Sequence, residues 1–139
     1  MILRVMIVED EDMIRNGLVK TLPWADMGCT VIGSAGDGKS GLEQIIERRP
    51  DVVITDIRMP EMDGFEMLER ALAVYRFHII IFTSYAEFDY AQKAISIHAY
   101  DYLLKPLDEK RLAGMAEGIR ALTALPDHTG RILSQITRP

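Results

Sequence analysis

At 139 residues, with 48% hydrophobic and 27% charged residues, the chain suits one globular domain, long enough to bury roughly two-thirds of its unfolded surface. Its net charge of −5 disfavours extended contact with nucleic-acid phosphates or an anionic membrane, and no apolar stretch approaches the length of a membrane span. The single cysteine, Cys29, excludes an internal disulfide and fits a reducing compartment. With no long h-region or small-residue cleavage site at the N-terminus, the cytoplasm is the expected location.

Short apolar runs alternate with helical patterns, the signature of βα units around a parallel sheet. A first strand over Leu3–Val8 runs into Glu9-Asp10-Glu11-Asp12. A helix follows, with Met13, Ile14, Leu18 and Leu22 at helical spacing, until Pro23 ends it. Trp24 then reads as a loop anchor. The second strand spans 30–34 between glycines, and Cys29 beside it reads as a small buried hydrophobe. The second helix carries Leu42, Ile45 and Ile46 and stops before Pro50. A third strand over 52–56 is followed by a loop that Pro60 and Gly64 shape, then by a helix with Phe65, Met67, Leu68 and Leu72.

The fourth strand, 79–83, leads to a helix over about 86–98, and the fifth, 102–104, is short. Asp108 caps a last helix that runs to about 122. Strands one, three, four and five are apolar along their length, as expected when helices cover both sheet faces. Beyond that point Pro126, Gly130 and Pro139 break the pattern. The folded domain is therefore 1–122, and 123–139 is a tail or the start of a linker, with a turn of helix expected around Ile132, Leu133 and Ile136.

The strand ends carry the chemistry. Carboxyl ends of parallel strands share one edge, where ligands bind. Acids at Glu9 to Asp12 and Asp56, a hydroxyl at Thr83 and an amine at Lys105 therefore converge on one site. Carboxylates brought together without a cation repel by several kcal/mol at intermediate dielectric. A hard divalent ion such as Mg2+ relieves this, and Lys105 adds a second positive charge. An Asp beside a metal and an amine is an activated oxygen nucleophile, and phosphoryl transfer needs little beyond such positioning. Glu11 is left as an acid favouring a helix N-terminus.

Taken in order, Ile7-Val8-Glu9-Asp10-Glu11, Asp56-Ile57-Arg58-Met59-Pro60 with Met62-Asp63-Gly64, Thr83-Ser84-Tyr85 and Asp101-Tyr102-Leu103-Leu104-Lys105-Pro106 resemble the receiver domains of two-component response regulators. The wording around these motifs is most similar to regulators whose receiver precedes an AraC-type DNA-binding domain. The resemblance implies an α/β, flavodoxin-like three-layer sandwich with five helices and a five-stranded parallel sheet of order 2-1-3-4-5. It implies Asp56 as phosphoacceptor and Asp10, Asp56 and the Arg58 backbone carbonyl as Mg2+ ligands, with Glu9 acting through water. Lys105 then pairs with the phosphoryl oxygens, Thr83 is the switch hydroxyl and Tyr102 the switch aromatic. The bond between Lys105 and Pro106 is expected to be cis.

Such a domain is a signalling phosphoacceptor rather than an enzyme. Its partner is a sensor histidine kinase, and its output face is helix 4, strand 5 and helix 5, which also offers a homodimer contact. The chain has no helix-turn-helix, so DNA is reached only through an output domain outside it. Two departures stand out: Glu9 replaces the family's more usual Asp, and His98 stands where a glycine commonly ends the fourth helix at positive φ. Arg58 and Tyr85, each two residues past a site residue, are expected to cover the phosphoryl group against water.

Two stripes run along the fourth helix, Phe88, Ala91, Ile95 and His98, and Tyr90, Ala94 and Ile97. One is surplus to the core and forms a partner surface near Leu107. His78, His98 and His128 lack metal-like spacing. A rival reading uses Gly33-Ser34-Ala35-Gly36-Asp37-Gly38-Lys39-Ser40, a literal phosphate-loop match that would make the chain a nucleotide hydrolase. That reading leaves Asp10, Thr83 and Lys105 unexplained. A dehalogenase-type phosphatase would want a second Asp where Arg58 stands. An interaction module that never takes phosphate is opposed by the intact Asp10, Asp56 and Lys105 set.

Overall fold

The structure, a computed structural model, describes residues 1–123. The expected turn near Ile132 and the tail from 124 onward lie outside the described residues. Five strands, β1 (Leu3–Val8), β2 (Cys29–Ala35), β3 (Val52–Thr55), β4 (His78–Thr83) and β5 (Asp101–Leu104), alternate with α1 (Asp12–Thr21), α2 (Gly38–Arg48), α3 (Gly64–Leu72), α4 (Phe88–Ser96) and α5 (Glu109–Thr123). Every paired strand is parallel and the order is β2-β1-β3-β4-β5, as the resemblance implied.

Alternation along the strands splits the core in two. Leu3, Val5, Ile7, Val52, Ile54, Ile80, Phe82 and Leu103 face α1 and α5, and Met6, Val8, Val53, Ile79 and Ile81 face α2, α3 and α4. Trp24 is buried and its indole N–H donates to the Leu18 carbonyl at 2.9 Å, which makes it the loop anchor expected. Cys29 is likewise buried.

Several boundaries differ from the sequence reading. Strand β2 is longer, because its register slips between Val5–Val31 and Met6–Gly33, leaving Ile32 as an extra residue. In α1, Met13 is 89% exposed while Ile14 and Leu18 pack inward, so the apolar stripe starts one residue later. Helix α4 is shorter than 86–98, since Glu87 is extended and His98 sits at φ 58, the left-handed conformation anticipated for that position. Strand β5 lies at the sheet edge; Leu103 is buried in one core and Tyr102 packs on the other, while Leu104 at its end is 41% exposed. Asp108 does accept from the Arg111 N–H at 3.2 Å at the start of α5. The Lys105–Pro106 peptide is cis.

Candidate functional site

Backbone hydrogen bonds carry the ladder one residue past each strand and thereby set the site. The Glu9 N–H donates to the Ala35 carbonyl at 3.0 Å, the Asp56 N–H to Val8 at 3.0 Å, and the Lys105 N–H to Thr83 at 2.8 Å. Glu9, Asp56 and Lys105 thus continue β1, β3 and β5 along one edge. Carboxylate oxygens of Glu9, Asp10 and Asp56 lie within 4.8 Å of one another. The Lys105 ammonium pairs with Asp56 Oδ2 at 2.9 Å and contacts Glu9 Oε1 as well. Thr83, the last residue of β4, is fully buried beside them on the same edge, and its Oγ1 accepts from the Tyr85 N–H at 3.4 Å. Tyr102 donates its hydroxyl to the Tyr85 carbonyl.

Asp56 is held from its own chain, because Oδ1 accepts from the Ile57 N–H at 2.7 Å. Glu9 is buried; Oε2 accepts from the Glu11 N–H at 3.3 Å, whereas Oε1 has the ion-pair contact with Lys105 and no hydrogen bond of ordinary geometry among the described residues. Burial, then the Asp56 charge, push the Glu9 carboxyl up to about 7, against the pull of Lys105. At 4.8 Å two such charges repel by roughly 3 kcal/mol at an effective dielectric near 20. One ammonium cannot offset three carboxylates. An oxygen-only donor set whose three carboxylates outnumber the single ammonium fits a hard divalent cation.

The Glu9 shift sets a pH dependence. Its proton is held in the folded chain to about 7 and in the unfolded chain only to 4.5. Without a divalent ion, the stability from this group is therefore full below about 4.5 and is lost as pH rises through about 7, a loss of at most about 3 kcal/mol. Urea unfolding in chelator should give a higher midpoint near pH 5 than near pH 8, and the gap should close in Glu9→Gln.

Three partners were not legible in the sequence. Arg15, on α1, donates to the Glu9 carbonyl at 2.8 Å and to Asp12 Oδ1 at 2.6 Å, bracing the acidic turn. Only its i,i+3 spacing from Asp12 could have drawn notice. Glu87 and Tyr90 both bind the Arg58 guanidinium, from 29 and 32 residues away. Burial pushes the Tyr102 hydroxyl up, with Tyr90, Glu87 and Asp56 adding to it, so these groups share one electrostatic neighbourhood.

The phosphate-loop match does not form such a loop. Gly33, Ser34 and Ala35 belong to β2, which leaves two residues before α2, and the Asp37 carboxylate already accepts the Ser40 N–H at 2.7 Å. A methyl on Gly38 would meet the Met62 carbonyl at 2.4 Å, so the helix start is packed against backbone rather than open to a nucleotide. The fourth-helix surplus is also resolved. Ala94 is buried with Tyr90 and Ile97 packed on the core, while Phe88 and Ile95 are 74% exposed. Leu107 packs on the α1 and α5 side, so the apolar strand residue on α4's side of the sheet is Leu104.

Fold and pocket together define a flavodoxin-like α/β domain with an acid-and-lysine pocket at the carboxyl edge. The family model described as the response regulator receiver domain matches residues 5–117, and the chain belongs to that family. It is 38% identical over 132 residues to the transcriptional regulatory protein HptR of Staphylococcus aureus, covering 94% of this chain and 52% of that protein. It is 34% identical over 119 residues to the uncharacterized transcriptional regulatory protein YesN of Bacillus subtilis, covering 85% and 32%. The chain thus spans about half, or less, of the length of these relatives. Among solved structures it is similar to the REC domain of AraT, a response regulator from Geobacillus stearothermophilus, with a TM-score of 0.77, 34% identity, and 99% and 100% of the two chains covered. No helix among the described residues is long and apolar enough to cross a membrane.

Proposed function

We propose that this domain takes a phosphoryl group on Asp56 from the phosphohistidine of a sensor kinase and passes the change to an output that controls transcription. The observation that carries this reading is Asp56 itself, paired with Lys105 at 2.9 Å inside a cluster of acids. Asp10, Asp56 and the Arg58 backbone carbonyl would hold Mg2+, with Glu9 acting through water. The ion supplies charge neutralisation for the transferred oxygens. An Asp56 carboxylate oxygen attacks phosphorus, the P–N bond breaks, and the donor imidazole leaves with its electron pair and takes a proton. Lys105 leaves its carboxylate partner to bind a phosphoryl oxygen.

The new group brings charge of about −2 and three acceptor oxygens. Thr83 turns its hydroxyl to one of them, and Tyr102 gives up the Tyr85 carbonyl and swings inward. Arg58 and Tyr85, stacked on each other at 3.6 Å, are the side chains proposed to cover the phosphoryl group against water. A groove of about 650 Å3 beside Lys105, walled by Met13, Ile14, Leu18, Pro106 and Leu107, supports approach of the kinase from the α1 side. The face of α4, β5 and α5 is the proposed contact with output or with a second copy, and exposed Phe88, Ile95 and Leu104 support it. The proposed setting is the cytoplasm, and the names of the relatives support a transcriptional output.

The test is direct. Incubated with Mg2+ and a small acyl phosphate, the protein should gain the mass of one phosphoryl group, in a form labile to hydroxylamine as an acyl phosphate is. Chelator should abolish the gain, and addition of Mg2+ should raise thermal stability. A protein that gains no mass while binding Mg2+ normally would remove the reading.

A further inference from the structure

Arg58 has a second set of contacts that the phosphoacceptor reading does not use. Its guanidinium lies 3.6 Å from the centroid of the Tyr85 ring, its Nε donates to the Tyr90 hydroxyl at 2.7 Å, and another nitrogen pairs with Glu87 Oε1 at 2.7 Å. All three partners lie in 85–90, the turn after β4 and the first turn of α4. Ala94 is the one buried residue of that helix, Tyr90 and Lys93 rest on the Phe65 ring, and Glu87 at its start makes no side-chain cap bond. Among the described residues, the polar tie between the Asp56 loop and the start of α4 is this one side chain.

Resting on the phosphoacceptor reading, we propose that Arg58 is a two-position latch: it holds the start of α4 through Glu87 and Tyr90, and a phosphoryl group on Asp56 draws it away. Asp56 is two residues upstream, so the acid that competes with Glu87 appears beside the latch's own loop. A phosphoryl group offers more charge and more acceptor oxygens than one carboxylate, and a planar guanidinium binds it with two parallel hydrogen bonds. The present pair is exposed on both sides, 46% for Arg58 and 49% for Glu87, and so yields readily. Leaving Glu87 and Tyr90 frees the first turn of α4, and the Tyr85 ring loses the cation above it. The latch thus acts on the helix through polar contacts, apart from the buried route of Thr83 and Tyr102. Because coupling is reciprocal, a change that weakens the pair from the Glu87 side while leaving Arg58 intact favours the phosphorylated state.

A double-mutant cycle tests this, read by the steady-state fraction phosphorylated at a sub-saturating concentration of a small acyl phosphate with Mg2+. Glu87→Gln should raise the phosphorylated-to-free ratio by about two- to fivefold, the range an exposed ion pair allows. Arg58→Ala should lower it, and adding Glu87→Gln to Arg58→Ala should change nothing further. An independent reading uses amide exchange at Ala91, whose N–H bonds to the Glu87 carbonyl at 3.1 Å. Exchange there should quicken on phosphorylation in the wild type, and should already be fast in unphosphorylated Arg58→Ala. Equal effects of Glu87→Gln with and without Arg58, or unchanged exchange at Ala91 in Arg58→Ala, would overturn the latch and leave Asp56 as acceptor. A wild type that takes no phosphoryl group overturns both readings.

Discussion

Asp56→Asn should fold normally and take up no phosphoryl group from any donor that labels the wild type. The amide keeps the carbonyl oxygen that accepts the Ile57 N–H at 2.7 Å, so the loop after β3 retains its internal bond. It loses the charge that pairs with Lys105 at 2.9 Å, yet Lys105 keeps Glu9 as a partner. One carboxylate fewer also relieves the repulsion that helps push Glu9 up to about 7, so that group should titrate lower in the variant. The two changes oppose each other, and the melting temperature should stay within a few degrees of the wild type.

Chemistry is where the variant fails. An amide nitrogen has its lone pair in resonance with the carbonyl, and an uncharged oxygen is a poor nucleophile toward phosphorus. Intact mass after incubation with acyl phosphate and Mg2+ should show the unmodified chain alone, against one added phosphoryl group in the wild type. Circular dichroism measured on the same sample separates a chemical loss from a folding loss. An acyl phosphate that persisted in Asp56→Asn would instead move the acceptor to Glu9 or Asp10, the two other acids within 4.8 Å.

The edge of the sheet was legible because parallel strands obey a rule that needs no coordinates: apolar runs ending in Glu9, Asp56, Thr83 and Lys105 must end on the same side. What the rule cannot supply is distance. It places Thr83 on the edge with Asp56 but says nothing of which hydroxyl partners it has, and it says nothing of the Lys105 contact to the buried Glu9 carboxylate. Helical periodicity fails in a different way, since it cannot say where a stripe begins. Met13 fits the spacing of Ile14 and Leu18 yet points to solvent, because the inward face of α1 begins at its third residue, Ile14.

Long-range pairs leave no local trace at all. In the sequence Arg58 reads as a cover for the phosphoryl group, and nothing near it announces Glu87 and Tyr90, which arrive from the next βα unit. The false phosphate loop shows the converse. Gly33 to Ser40 satisfies the spacing, but the extra residue at Ile32 sets Gly33 opposite Met6 inside the sheet, and β2 runs on to Ala35 where a loop would have to open.

Two glycine-to-alanine substitutions should move stability in opposite directions, and the site explains why. Gly64 opens α3 right behind the acceptor loop: its N–H donates to the Ile57 carbonyl at 2.7 Å, and a Cβ there would lie 2.1 Å from the Asp56 carbonyl oxygen and 3.1 Å from Ile57 Cα. These are backbone atoms, so no side chain can swing aside. Either α3 retreats or the loop carrying Asp56 shifts. Overpacking of this kind costs about 1–3 kcal/mol and more where backbone must move, so Gly64→Ala should lose roughly 3 kcal/mol or more. Gly17, inside α1, meets nothing within 4 Å of the same added methyl. There the gain is the helix preference of alanine over glycine, about 1 kcal/mol. Urea melts should therefore place Gly17→Ala above the wild type and Gly64→Ala well below it. Because the Gly64 collision falls on the residue that carries the acid, Gly64→Ala should also weaken Mg2+ binding at temperatures where it is still folded. Gly17→Ala should bind as the wild type does. A stable Gly64→Ala with unaltered Mg2+ affinity would mean that the contact between α3 and the acceptor loop does not hold Asp56 in place.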